Sequence, residues 1–348
     1  MDKSYWLFHF RLAGEKTTNS KKNAHGIGHA MRCLSIIDKL ESSFNITALI
    51  VTNSSQYSKN FLHGKGRSFF DEQEINKVLT KYNVDLIVSD INYLEKEFVD
   101  EYEKHCSWAC LAPRGETKYQ SSLSFKDTLF NDIDPPPKSH NNIIFSGADY
   151  VVCRHSYLEV KEKLSDKKII KDNNKIIISM GGVDHLDLTR KVLESLLTLE
   201  NHWKIEVVLG PLYNNQESLE EFSKEHSCNV NIIRDPADIY INLATSNLGI
   251  FAAGIISYES AGLGTPCLNL SMSDFHKRRS KEIESLGMGI DLGGISSLSD
   301  IETNLKIMSL VEDAQGLDSM RQKGIKLVDG MGASRIVNEL KNYLDLTS

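Results

Sequence analysis

Long apolar runs are missing from this 348-residue chain, and no stretch approaches the ~20 residues needed to span a bilayer. No membrane span is therefore expected. The opening segment, Met1–Arg11, is interrupted by Asp2, Lys3, His9 and Arg11 and does not resemble a secretory signal, so a cytoplasmic location is expected. Cysteine is sparse and scattered, with 6 residues in all, which excludes a disulfide framework. His105, Cys106 and Cys110 lie close in sequence, but no second ligand pair follows at zinc spacing. Neither a metal nor a cofactor is expected. Basic charge is in deficit, 40 Lys and Arg against 47 Asp and Glu for a net charge of −7, which excludes a general nucleic-acid binder. The short basic runs Lys21-Lys22 and Lys277-Arg278-Arg279 read as solvated surface. There are no long repeats and no low-complexity tracts. Proline clusters only at Pro135-Pro136-Pro137, inside a segment of little periodicity, Gln120–Asn141, that reads as a surface loop.

What remains is the composition of an ordinary globular protein, 41% apolar and 25% charged, at a length that suits two domains. Strand-like runs alternate with helical patterns, which predicts α/β architecture with parallel sheets. In the first half, strands are expected near Tyr5–Phe10, Ile46–Val51, Leu86–Ser89, Ala109–Ala112, Asn142–Phe145 and Tyr150–Val152. Helices are expected after Gly28 and over Asp71–Tyr82 and Glu95–Lys104. A charged stretch, Glu159–Lys175, separates this half from a second series of strands at Ile176–Ser179, Ile205–Leu209, Val230–Ile233, Leu248–Phe251 and Pro266–Leu270. Helix Thr189–Thr198 carries Val192, Leu193, Leu196 and Leu197 on one side, and a final helix covers Ser334–Leu344. The expected organisation is a Rossmann-like domain over 1–160, a second over 172–333 and a terminal helix over 334–348. Two such domains in series present a ligand cleft at the carboxyl ends of their strands.

Several segments carry residues suited to chemistry. Gly26-Ile27-Gly28-His29-Ala30-Met31-Arg32 reads as a glycine turn opening onto a helix whose buried face is Met31, Leu34, Ile37 and Leu40. Such a turn fits an anion at a helix N-terminus with His29 as acid or base beside it, and it equally fits a structural turn with a structural histidine. Met180-Gly181-Gly182-Val183-Asp184 follows a strand directly, where backbone N–H groups can face a ligand or simply make a tight βα turn. Between Asn247 and Pro266, a strand runs into Ala252-Ala253-Gly254 and then a helix holding Ser257 and Glu259. Glu259 is placed to accept hydrogen bonds from a vicinal diol such as a ribose, or to favour the helix dipole. Asp90 ends its strand, where a carboxylate holds a ligand, a catalytic histidine or a loop. Asp274 and His276 follow the strand ending at Leu270, within reach of a ligand or exposed on a loop.

Taken in order, five segments resemble the PseG/SpsG family: Gly26–Leu34; Phe145–Tyr150 with Arg154; Met180–Asp184; Tyr258-Glu259-Ser260-Ala261-Gly262-Leu263-Gly264-Thr265-Pro266; and Val328–Arg335. The resemblance covers nearly the whole chain. It implies a glycosyltransferase-B-like (GT-B-like) architecture, two Rossmann-like domains facing a cleft, and hydrolysis of a UDP-linked acetamido-deoxy sugar of the pseudaminic-acid type. By this resemblance His29 is the base that activates water for attack at the anomeric carbon, with Asp90 as its catalytic partner. Gly26, Gly28, Arg32 and Tyr93 lie on the sugar side. The nucleotide sits on the second domain, its phosphates near Ala253, Gly254 and Ser257, its ribose on Glu259, with Gly181, Gly182 and His276 lining the site. Helix N-termini stabilise the departing UDP anion without a metal, and an imidazole with an ordinary pKa of ~6.5 suits proton abstraction. The chain departs from the family where Leu12 stands for an aspartate, where 13–25 is insertion-like, and where Asn92 replaces an aromatic residue. It departs again where Ile255 and Ile256 replace small hydroxyl residues, where Phe275-His276 replaces an Asn-Gln pair, and where Ala112-Pro113-Arg114-Gly115 replaces an acidic pair. Two other readings compete with the hydrolase: an inverting GT-B transferase using a UDP-sugar donor, and a nucleotide-sugar-binding protein without catalysis.

Overall fold

Strands buried on both faces belong to parallel sheets covered by helices, and this chain builds two of them. The computed structural model describes residues 3–12, 27–91, 94–112, 120–129, 142–182, 184–197, 203–226, 229–234, 236, 238–294 and 313–347. The elements run β1 (Ser4–Phe10), α1 (Ile27–Ser43), β2 (Ile46–Thr52), α2 (Gln56–Gly64), β3 (Phe70–Asp71), α3 (Ile75–Lys81), β4 (Val84–Asp90), α4 (Lys96–His105), β5 (Trp108–Leu111), β6 (Leu123–Lys126) and β7 (Ile143–Ser146). They continue with α5 (His155–Ser165), β8 (Asp172–Ser179), α6 (Leu188–Leu197), β9 (Lys204–Leu209), α7 (Gln216–His226), β10 (Val230–Arg234), α8 (Tyr240–Thr245), β11 (Ser246–Ala252) and α9 (Ile255–Gly262). The last are β12 (Cys267–Ser271), α10 (Asp274–Ser285), β13 (Gly289–Gly294), α11 (Ala314–Leu327) and α12 (Gly332–Thr347).

The chain divides into two compact units, Met1–Arg154 with Met331–Ser348, and His155–Gly330. The first holds a 7-stranded sheet in the order β3-β2-β1-β4-β5-β6-β7, and the second a 6-stranded sheet in the order β10-β9-β8-β11-β12-β13. Every pairing among the described residues is parallel. Both sheets therefore reverse their winding direction at their first strand, between β1 and β4 and between β8 and β11. A doubly wound sheet binds its ligand outside the carboxyl ends of the strands at such a point.

Side-chain alternation assigns the first sheet's residues to two cores. Trp6, Phe8 and Phe10 of β1 face α1 and α12 together with Leu86 and Val88 of β4. Leu7 and Ile87 face the opposite way, toward Val99 and Tyr102 of α4. Helix α12 belongs to this unit because Ile336, Val337 and Leu340 form one stripe that packs with Ile36, Ile37 and Leu40 of α1. In the second unit, β8, β9, β11 and β12 enclose Ile176, Ile178, Val207, Ile250 and Leu268 with Leu193 and Leu196 of α6.

The structure differs locally from the sequence expectations. Part of the expected loop Gln120–Asn141 is β6, a short interior strand whose residues are all buried; its polar members Ser124 and Lys126 hide the apolar pattern. Residues 130–141 lie outside the described residues. Tyr150–Val152 is not a strand, since a 3-10 turn over Ala148–Tyr150 precedes it. The expected helix over Asp71–Tyr82 is a 3-10 turn, Glu72–Glu74, followed by α3. The expected spacer Glu159–Lys175 is largely α5 and the start of β8. Helix α2, capped by the Ser55 hydroxyl accepting from the Ser58 N–H, has no counterpart among the expectations.

At the start of α12, a Cβ on Gly332 would lie 2.1 Å from the Val151 carbonyl oxygen. Gly332→Ala must displace backbone on one side or the other, and we expect it to cost roughly 1–3 kcal/mol in a denaturant-unfolding measurement of the full chain. An unchanged unfolding midpoint contradicts the packing described for the terminal helix.

Candidate active site

In the first unit, the last residue of β4 is Asp90, paired in register with Phe10 of β1. Alternation turns Asp90 toward α1, the same way as Leu86 and Val88. His29 and Arg32 stand three residues apart on α1, one turn, and so share a face. His29 Nδ1 lies 2.7 Å from Asp90 Oδ1. Arg32 donates from Nε to Oδ2 and from Nη2 to Oδ1, both at 2.7 Å. Asp90 has no exposed surface, while the His29 and Arg32 side chains keep 15% and 17%. Burial by itself pushes the Asp90 carboxyl up, but the Arg32 charge, the His29 ring and their hydrogen bonds together hold it well below its ordinary range. An ionised Asp90 only accepts, so His29 Nδ1 carries the hydrogen of this contact, and in the neutral ring the lone pair is then on Nε2. Arg32, expected to contact substrate, forms a bidentate pair with Asp90.

Packing does not demand glycine at position 28, where a Cβ would meet no atom within 4 Å. Gly26 and Tyr93 lie outside the described residues.

The opposite face of the same strand end carries a charged cluster that sequence reasoning did not single out. Arg11 donates to Glu72 at 2.8 Å and to both oxygens of Glu95 at 2.9 and 3.0 Å. The buried His9 ring meets the Tyr102 hydroxyl at 2.5 Å and Glu72 at 3.4 Å. Burial pushes His9 below its ordinary pKa. It also raises Glu72, but hydrogen bonds from His9 and Arg11 and the Arg11 charge prevail and bring Glu72 down to about 2. One trace of it is visible in the sequence, where the polar His9 and Arg11 flank Phe10 at the end of β1.

In the second unit, Ser179 of β8 pairs with Phe251 of β11, and Ala252 of β11 with Leu270 of β12. The segments after these strands leave from neighbouring strand ends, which groups Gly181 and Gly182 with Ala253, Gly254 and the start of α10. Gly181 has φ +81°, a conformation that favours glycine. A Cβ on Gly210 would lie 2.2 Å from the Gly181 carbonyl oxygen, so the turn rests backbone against backbone on the loop after β9. Asp184 accepts from the Leu188 and Thr189 N–H groups at 2.9 and 2.8 Å and thereby caps α6. No side chain caps α9, which the extended Gly254 precedes. Ser257 is turned inward, its hydroxyl donating to Asn269 Oδ1 at 2.6 Å. Glu259, buried, accepts from the Tyr240 hydroxyl. His276 is half-buried in the first turn of α10, its N–H donating to Ser273 Oγ at 3.2 Å.

Among the described residues, no group of three or more His, Cys, Asp and Glu side chains is arranged to hold a metal ion, and no helix is long and apolar enough to cross a membrane.

No family model matches the sequence. MurG of Acinetobacter baumannii superposes with a TM-score of 0.70 at 13% identity, covering 98% of this chain and 100% of that one. The UDP-GlcNAc 2-epimerase of Neisseria meningitidis, solved with UDP-GlcNAc bound, gives 0.66 at 15% identity over 98% and 100%. The fold is GT-B-like. In sequence, an uncharacterized protein of Methanocaldococcus jannaschii is 24% identical over 266 residues, which is 72% of this chain and 54% of that protein. The chain thus spans about half the length of this curated relative, and the full-length match to GT-B structures is one of fold.

The Asp90 cluster sets a sign for acid stability. In the unfolded chain Asp90 takes up a proton near its ordinary value of 3.8, while in the folded protein it resists protonation to lower pH. Its contribution is complete above that ordinary value and is lost as pH falls through the depressed folded one. Asp90→Ala leaves Arg32 without its buried partner and should cost about 3–5 kcal/mol at neutral pH. Unfolding followed between pH 2 and 7 should show the gap between variant and native protein narrowing toward the acid end; a constant gap contradicts the ionised, paired state.

Proposed function

We propose that this protein is a nucleotide-sugar hydrolase that releases UDP from a UDP-linked acetamido-deoxy sugar. The observation that carries the reading is the 2.7 Å contact between Asp90 and His29 Nδ1, which orients the imidazole and leaves Nε2 as the basic atom. In the reaction, a water oxygen attacks the anomeric carbon while Nε2 takes its proton. The bond from that carbon to the phosphate oxygen breaks, and the electron pair leaves with UDP. Asp90 stabilises the imidazolium that forms, and Arg32 acts as a positioning residue that holds Asp90.

The second unit is assigned to the nucleotide. The uncapped first turn of α9 and the Gly181-Gly182 turn offer backbone N–H groups and a helix dipole to the diphosphate. These partners stabilise the charge that develops on the leaving group. The hydrophobic Ile255 and Ile256 fit backbone recognition of this kind, since they leave the N–H groups as the polar atoms of that turn. Glu259 is assigned to the ribose and His276 to the rim of the site, whereas Ser257, given to Asn269, supports the helix from inside. A GT-B-like neighbour bound to UDP-GlcNAc and the resemblance to the PseG/SpsG hydrolases support an acetamido sugar on UDP. The fold also favours a second reading, inverting transfer, in which the same base deprotonates an acceptor hydroxyl instead of water.

Incubating the protein with a panel of UDP-sugars and no acceptor should release UDP and free sugar; release only on adding an acceptor establishes transfer instead. His29→Ala should lower turnover by at least about 100-fold, the usual range for a general base, and leave the dissociation constant for UDP within about twofold. Undiminished turnover in that variant removes His29 from the base role.

A further inference from the structure

Glu259 keeps only 6% of its surface exposed, and its side chain has three rotatable bonds. Ordering such a chain costs about 1.5–2 kcal/mol of rotamer entropy, which a binding site must offset each time a ligand arrives unless the protein has done so beforehand. Helix α8 supplies the means. The Tyr240 hydroxyl donates to Glu259 Oε1 at 2.5 Å, and Tyr240 is itself fully buried. Its ring meets Tyr157 of α5 edge to face, centroids 5.3 Å apart and planes at 83°. The Tyr157 hydroxyl in turn donates to the Val328 carbonyl at 3.0 Å. The helix carrying Glu259 closes on the same groups: a Cβ on Gly262 would lie 2.0 Å from the Tyr157 hydroxyl and 2.6 Å from the Val328 oxygen. Tyr240 is thus held on one side by an aromatic contact and fixes the carboxyl on the other.

Resting on the assignment of the nucleotide to this unit, we propose that Tyr240 is a positioning residue for ribonucleotide recognition. By donating to Oε1 it holds the Glu259 carboxylate in place to accept from the 2′- and 3′-hydroxyls of a ribose. A carboxylate only accepts, so its second oxygen matches two hydroxyl donors. The selectivity this produces is for a ribose over a deoxyribose, independent of the sugar that the nucleotide carries.

Calorimetric titration of the full chain with UDP and 2′-deoxyUDP tests this. The native protein should bind UDP about tenfold or more tightly than 2′-deoxyUDP, the worth of one hydrogen bond to a charged acceptor. Tyr240→Phe should weaken UDP about tenfold and 2′-deoxyUDP by less than twofold, because the deoxy ligand lacks the group that Glu259 is held to receive. A loosened helix weakens both nucleotides alike, and that outcome, or no change at all, overturns the positioning role while leaving the nucleotide assignment intact. Failure of the native protein to bind UDP overturns both. Glu259→Gln decides the matter separately should Tyr240→Phe not fold. Tyr240 pins the amide oxygen of that variant and so points its NH2, a donor, at the ribose, and the preference for UDP should vanish. A retained preference shows that the amide turns freely, and the proposal falls.

Discussion

A carboxylate with no contact with water depends on the hydrogen-bond donors and the positive charge packed around it, and in this protein Asp90 is such a group. The parallel register of β1 and β4 delivers it to the carboxyl end of the sheet, and α1 meets it with a histidine and an arginine one turn apart. The exchange is mutual. Asp90 ties α1 to the carboxyl end of the sheet, sets which nitrogen of His29 holds the hydrogen, and takes the Arg32 guanidinium in a bidentate pair. Removal of Arg32 leaves the Asp90 charge where solvent cannot reach it, so orientation and stability rest on the same contacts.

The second unit has the same strand order and solves its problem differently. The turns after β8 and β11 hold Gly181-Gly182 and Ala253-Gly254, and the Gly181 turn is pressed against Gly210. Polar side chains there are committed inward: Asp184 to the start of α6, Ser257 to Asn269, Glu259 to Tyr240. The two units thus differ in what holds their strand ends, charged side chains in the first and backbone contacts in the second, on one doubly wound plan.

Much of this plan was legible in the residues. Alternating strand and helix patterns define a doubly wound α/β chain, because local hydrophobic periodicity reports directly on burial. A helix following Gly28 and a strand running up to Asp90 were both expected, and both are present. Where periodicity failed, the cause is visible. In β6 the buried positions include Ser124 and Lys126, so the strand has no apolar signature. The cluster of His9, Arg11, Glu72, Glu95 and Tyr102 gathers residues from three separate segments, and no local pattern links them.

By itself the sequence determined most of the element types and the parallel class of the sheets, since each depends on neighbours within a turn or a strand. Tertiary structure alone decided the pairings: that Asp90 faces α1 and Arg11 the opposite side, that α12 returns to the first unit, and that Tyr240 of α8 reaches Glu259 of α9. These depend on register and on contacts across tens to hundreds of residues, where a one-residue shift along a strand turns every side chain to the other face.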